Sequence, residues 1–205
     1  MSQAAIWNRF AKGYARRPVA DPESYERKLA MTAARLTPTM RLLEVGCGTG
    51  TTALKHSGRV AHIDATDLSP KMIEIAREKA TLAGVTNVDF RVGAVDDLPS
   101  TGTYDAVLAM SILHLVPDPP AAVARLADQL TPGGFLFSST VCIGDMAGFL
   151  PRLLPLIGAT RLLPKVSPLK KTDLVRFHEA AGLTILDEFR PAPDKAVFFV
   201  AQKPG

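Results

Sequence analysis

Cysteine is scarce in this 205-residue chain, and long apolar runs are missing altogether. The two cysteines, Cys47 and Cys142, cannot build a disulfide framework, and neither has a CxxC partner or a histidine at metal-ligand spacing. A disulfide scaffold and a cysteine metal site are therefore excluded, and a reducing compartment is expected. The opening residues, MSQAAIWNRFAKGYARR, lack the apolar stretch of a secretory signal, and no run approaches the length that crosses a bilayer. A soluble, cytoplasmic protein is the expectation. Charge of neither sign dominates: 24 Lys and Arg face 20 Asp and Glu, a net charge of +4, too mild to commit the chain to nucleic acid. Repeats and low-complexity linkers are also absent. With 47% hydrophobic residues, the composition is that of one globular domain, residues 1–205, able to bury a core without staples.

What is present is ordered along the chain. Residues 1–41 carry 8 basic and 3 acidic side chains, residues 42–145 carry 7 and 12, and residues 146–205 carry 9 and 5, an acidic centre between basic ends. The centre alternates short apolar runs with amphipathic segments. RLLEVG is followed by a Gly-rich turn, VAHIDATD by SPKMIEIAREKATLAG; NVDFRV, YDAVLAMS, GFLFSSTV, LTILDEF and AVFFVAQ read as further strands, with helices over 119–130 and 172–181. This predicts an α/β fold with a mostly parallel sheet and helices on both faces. Ser69-Pro70 reads as an N-cap with proline at the first helical position and Gly84 as the stop; Thr172 and Asp173 open another helix that ends at Gly182. The last two strands are separated by only PAPD, too short for a parallel crossover, so they must be antiparallel. Two segments fall outside the alternation. Residues 1–36 read as two helices broken around Arg17-Pro18, and residues 145–168 are apolar but interrupted by Pro151, Pro155 and Pro164, which excludes one long helix.

The strongest local signal is Leu42-Leu43-Glu44-Val45-Gly46-Cys47-Gly48-Thr49-Gly50, a strand that runs into a glycine turn and a helix start. Glycines there let a nucleotide-type ligand approach the backbone across the carboxyl ends of the strands. Asp67, at the end of the next strand, is placed to accept hydrogen bonds from ribose hydroxyls, which suits a dinucleotide or an adenosyl ligand. The turn is GxGxG rather than GxGxxG, and Glu44 stands before the first glycine, where an ammonium is welcome and a pyrophosphate is not. With these residues the chain resembles the class I S-adenosylmethionine-dependent methyltransferases. The resemblance continues through DATDLSPKMIEIA, FRVGAVDDLP, YDAVLAMSILHLVPD and LTPGGFLFSST, about residues 40–140, and takes in the terminal hairpin.

The resemblance implies a Rossmann-like seven-stranded sheet in the order 3-2-1-4-5-7-6 with strand 7 antiparallel, and S-adenosylmethionine as cofactor. It implies that Glu44, Gly46, Cys47 and Gly48 surround the methionine part, that Asp67 holds the ribose, that Leu68 and Met72 pack on the adenine, and that Met110 adjoins the cofactor. Relatives often carry GDAxxLP after the third strand, with the Asp receiving the adenine amino group; here that position is Ala94, and the backbone around Val95 or the side chain of Asp96 takes its place, Asp96 being preferred to Asp97. Cys47 has no neighbour to lower its pKa or act as its base, so it reads as a backbone contact, not a nucleophile.

Methyl transfer requires alignment and exclusion of water more than protein acid-base chemistry, because the sulfonium is already activated. His114 is the histidine placed near the expected methyl group, as a general base or as a residue that shapes the pocket floor. In relatives, N-terminal helices and the insert after the fifth strand cover the acceptor. That makes Tyr14, Tyr25 and Lys28 candidates for the cover, joined by Leu153 and Leu154 of the insert, while Trp7 and Phe10 either line the site or pack the helices onto the sheet. The insert's apolar character suggests a small apolar or aromatic acceptor. A basic, leucine-rich insert is also compatible with an anionic membrane surface or a lipid-like acceptor. A non-catalytic S-adenosylmethionine-binding protein is the reading from a different class. Nucleic-acid methylation is disfavoured, since the fourth strand continues as MSILH without the Asn/Asp-Pro-Pro-aromatic motif, and an NAD-dependent oxidoreductase is the least favoured.

Overall fold

In a computed structural model, residues 2–99, 102–146 and 164–205 are described. Leu153 and Leu154, with most of the apolar insert, lie outside them. The chain opens with α1 (Gln3–Arg16) and α2 (Pro22–Ala33), separated around Arg17-Pro18 as the proline predicts. Alternation follows: β1 (Arg41–Val45), α3 (Thr51–His56), β2 (His62–Asp67), α4 (Pro70–Leu82), β3 (Val88–Val92), β4 (Tyr104–Met110), α5 (Pro119–Asp128) and β5 (Leu130–Thr140). After a 3-10 turn at Ile143–Asp145 come α6 (Lys171–Ala180), β6 (Thr184–Phe189) and β7 (Val197–Gln202).

The seven strands are ordered β3-β2-β1-β4-β5-β7-β6, as the resemblance implied. β1 to β5 run parallel, while β7 is antiparallel to both neighbours, as the short final connection requires.

Side chains alternate across the sheet and so feed two cores. Leu43, Val45, Val107, Ala109, Leu136 and Phe199 pack under α5 and α6 with Leu126 and Leu174. Leu42, Ile63, Ala65, Leu108, Phe137, Phe198 and Val200 pack on the other face against Ala53, Ile73 and Ala76 of α3 and α4.

Two local expectations need correction. β5 begins at Leu130, earlier than the apolar run GFLFSSTV, because Thr131–Gly134 are taken into the sheet as an irregularity: Tyr104 pairs with Leu130, and the next pair is Ala106 with Phe135. Gly134 permits this, since a Cβ there would lie 3.0 Å from the carbonyls of Asp105 and Thr131. The start of α6 is set by Asp173, whose Oδ2 accepts from the backbone N–H of Lys170 at 3.0 Å, with no cap from the Thr172 side chain among the described residues. At α4 the prediction holds: Ser69 caps the helix, its Oγ accepting from Met72 N–H at 3.2 Å, and Gly84 takes a left-handed conformation after it.

Candidate active site

The site forms where the ends of β1, β2, β3 and β4 meet α1. Leaving β1, the chain turns through Gly46 at φ 70° and Gly48 at φ 53°. At Gly46 a Cβ would sit 2.4 Å from Ile112 Cδ1 in a backbone region that L-residues avoid, so the turn tolerates only glycine. At Gly48 the nearest atom to such a Cβ is Tyr14 Cε1 at 3.5 Å, which leaves that peptide approachable from the cleft.

The turn is sewn to β2. The Cys47 N–H donates to the Thr66 carbonyl at 2.9 Å, and the Gly48 N–H donates to Asp67 Oδ2 at 3.0 Å. Asp67 Oδ1 accepts from the Ser69 N–H at 2.8 Å. Each carboxylate oxygen retains a free lone-pair direction for a ligand. Burial raises the Asp67 pKa, opposed by these two backbone donors. The Ser69 hydroxyl also donates to Asn8 Oδ1 at 2.6 Å, and Asn8 Oδ1 accepts from Lys71 N–H at 3.2 Å, which pins α1 across the start of α4.

Between these elements lies a cavity of about 330 Å³, within the usual size of small-molecule sites. Of the residues expected from sequence, Gly46, Gly48, Asp67, Leu68, Met72, Val95, Asp96, Met110 and Tyr14 line it, as does Trp7. Asp96 faces the cavity, whereas Asp97 is committed elsewhere: its Oδ2 accepts from the Ala94 N–H at 2.8 Å. Tyr14 roofs the Gly48 turn, and its phenol pKa is raised by burial and then by the charges of Asp67 and Glu44.

Five expected residues lie behind or beside this cavity. Cys47 is buried, its thiol donates to the Gly48 carbonyl at 3.7 Å, and burial pushes its pKa well up, so a nucleophilic role is closed to it. Tyr25 pairs its hydroxyl with Thr52 Oγ1 at 3.1 Å, and Lys28 donates to Ser139 Oγ at 3.0 Å. His114 follows β4, its carbonyl accepts from Ser167 N–H at 2.8 Å, and burial pulls its imidazole pKa down to about 4, so the ring is neutral at pH 7. Glu44 is 2% exposed; burial raises its pKa to about 8, a backbone hydrogen bond from Ala53 opposes the shift, and the Asp67 charge adds to it. Its Oε2 is buried without a partner among the described residues.

Some site features carry no sequence signal. Asn8 and Ser139 are single polar residues in ordinary helical and strand patterns. Ser111, which lines the cavity, holds φ 61°, the one positive φ at a non-glycine among the described residues; such strain concentrates at functional sites.

The arrangement suits S-adenosylmethionine: an unpartnered buried carboxylate oxygen on Glu44 for an ammonium, a glycine turn open at Gly48, Asp67 with acceptor capacity for a diol, and the apolar Leu68 and Met72 beside it.

Residues 42–134 match the family described as Methyltransferase domain. The chain is 37% identical over 171 residues to the Ubiquinone biosynthesis O-methyltransferase of Xanthomonas axonopodis pv. citri (strain 306), covering 78% of this chain and 70% of that protein. It is 39% identical over 147 residues to the protein of the same name from Xylella fastidiosa (strain 9a5c), which covers 69% of this chain and 57% of that one. Among solved structures, geranyl diphosphate methyltransferase in complex with SAM shares the fold with a TM-score of 0.71 at 17% identity, over 86% of this chain and 84% of that one. The chain belongs to the class I S-adenosylmethionine-dependent methyltransferases.

Proposed function

We propose that this protein transfers the methyl group of S-adenosylmethionine to a hydroxyl oxygen of a small acceptor of apolar or aromatic character. The observation that carries the reading is the cavity itself. Its wall combines Asp67 and Asp96 near the glycine turn with an apolar stretch made of Met110 at the end of β4 and Ile112, Leu115 and Val116 after it. The names of the relatives, Ubiquinone biosynthesis O-methyltransferases, support oxygen as the accepting atom.

When bound, S-adenosylmethionine supplies an activated methyl on a sulfonium. The residues of this chain then bind, orient and exclude water. Asp67 accepts from the ribose hydroxyls, Asp96 from the adenine amino group, and Glu44 faces the ammonium with its unpartnered oxygen. Leu68 and Met72 bury the base, and α1, pinned by Asn8, covers the cleft. His114, neutral at pH 7, is able to take the hydroxyl proton where the acceptor must lose one, though a pKa of about 4 makes it a weak base.

The test is incubation of the purified protein with S-adenosylmethionine and a panel of phenols, thiols, amines and carboxylic acids, with S-adenosylhomocysteine release and product mass as readouts. A product methylated on oxygen is expected. Tight S-adenosylhomocysteine binding with no release from any acceptor would instead make this a non-catalytic binder.

A further inference from the structure

Among the described residues Lys28 has no acidic partner. It lies on α2, half-buried, and donates to Ser139 Oγ at 3.0 Å. An ammonium has three donors, so capacity remains after that bond. Among the described residues no carboxylate lies within ion-pair distance of it, and residues 147–163 contain no Asp or Glu that could supply one. The acid whose charge it feels is Asp21, two helical turns earlier, and both Asp21 oxygens are taken by Ser24, from its N–H at 3.1 Å and its hydroxyl at 2.7 Å. Loss of solvent lowers the Lys28 pKa, as expected of a cation held off water without a counter-charge.

Its position gives that charge a use. Ser139 is near the carboxyl end of β5 and is the direct strand partner of Met110, which lines the cavity. Partners on adjacent parallel strands point to the same face, about 4.8 Å apart. The ammonium therefore stands one strand spacing beyond the Met110 wall, on the side away from Asp67. We propose that Lys28 is the recognition point for an anionic oxygen on an aromatic acceptor, either an ionised phenol or a ring carboxylate. This rests on the methyltransferase reading and narrows its acceptor class. A site built on apolar contacts alone would leave a half-buried cation uncompensated, and an acceptor oxyanion supplies the missing charge.

The experiment is titration calorimetry at pH 7 with saturating S-adenosylhomocysteine, using four probes: 4-nitrocatechol for the phenolate, 3,4-dihydroxybenzoate for the carboxylate, and catechol and methyl 3,4-dihydroxybenzoate as neutral counterparts. Wild type should bind at least one anionic probe about 10-fold more tightly than its neutral counterpart, the scale of one charge-assisted hydrogen bond. Which anion wins distinguishes phenolate from carboxylate. Lys28→Gln, which keeps a donor for Ser139 but no charge, should abolish the preference, Lys28→Arg should retain most of it, and S-adenosylhomocysteine affinity should stay within about 2-fold in both. An unchanged preference in Lys28→Gln, or wild type binding neither anion better than its neutral counterpart, overturns the assignment. Should Lys28→Gln melt early, Lys28→Arg and Ser139→Ala remain: both keep the charge, so loss of preference in either would mark Lys28 as only a brace between α2 and β5. Failure of wild type to bind S-adenosylhomocysteine at all is read in the first titration and counts against the methyltransferase reading instead.

Discussion

Glu44 holds a carboxyl whose pKa of about 8 leaves it protonated at neutral pH in the free protein. Between its ordinary value and about 8 the folded state binds the proton and the unfolded state does not, so this group's contribution to stability falls as pH rises through that window. Thermal melts from pH 5 to 8 should show a decline that Glu44→Gln flattens. Binding a ligand with an ammonium favours the ionised form, so S-adenosylhomocysteine binding at pH 7 should release a proton to buffer, a release that Glu44→Gln loses. Calorimetry in buffers of different ionisation enthalpy measures it. Next to the base, Asp96→Asn should weaken S-adenosylhomocysteine binding while Asp97→Asn leaves affinity nearly unchanged and lowers the melting temperature, because Asp97 caps the turn at Ala94. The reverse ranking would assign the adenine contact to Asp97. The two acids are neighbours in sequence, where Asp96 is preferred for the adenine contact, and the geometry adds that Asp96 lines the cavity while Asp97 caps a turn.

At the scale of elements, α1 lines one side of the cavity, and besides the packing of Ile6 and Ala11 it is tied down by the hydrogen bonds of one side chain. Asn8 joins it to the N-terminus of α4 through Ser69 and Lys71. Asn8→Ala should raise amide exchange across α1 and weaken S-adenosylhomocysteine binding, while exchange in β4 and β5 stays unchanged; equal protection of α1 in both proteins would show that apolar packing of Ile6 and Ala11 alone suffices to hold it. The strands were legible from sequence because each is an apolar run beside a glycine, proline or charged break, and the antiparallel β6–β7 pair followed from connection length. The glycine turn and Asp67 were legible because a strand end, closely spaced glycines and an acid at the end of the next strand form a local pattern, which the GxGxG spacing and Glu44 narrowed from a dinucleotide to an adenosyl ligand. Asn8, Ser139 and Ser111 were not, since a single polar residue in a helix or strand has no period. Their roles arise from contacts between elements distant in the chain, as in the Lys28–Ser139 bond across 111 residues. The early start of β5 was missed for a related reason: the apolar run begins only at Gly134, and pairing with β4 draws the residues from Leu130 onward into the sheet.

For the whole molecule, stability resides in the two cores that clasp the sheet. Phe137, fully buried between Phe135 and Phe198, is central to one of them. Phe137→Ala should cost about 3–5 kcal/mol of unfolding free energy by chemical denaturation. His56 works in the opposite direction. It is 1% exposed, neither ring nitrogen has a partner among the described residues, and burial lowers its pKa to about 4. The folded state resists protonating it, so its contribution falls as pH drops below the ordinary histidine value toward 4. His56→Leu should raise the melting temperature, and more at pH 5 than at pH 8. No helix among the described residues is long and apolar enough to cross a membrane. The fold thus supports a cleft at the carboxyl edge of its parallel strands, and the claim that this cleft is the cofactor site turns on Asp67. Titration calorimetry of S-adenosylhomocysteine into wild type and Asp67→Ala tests it most directly. Wild type should bind, and the folded variant should bind more weakly by about 1.5–3 kcal/mol, the value of hydrogen bonds to a charged acceptor. Equal affinity in a folded Asp67→Ala protein, or no binding by wild type, would contradict the account.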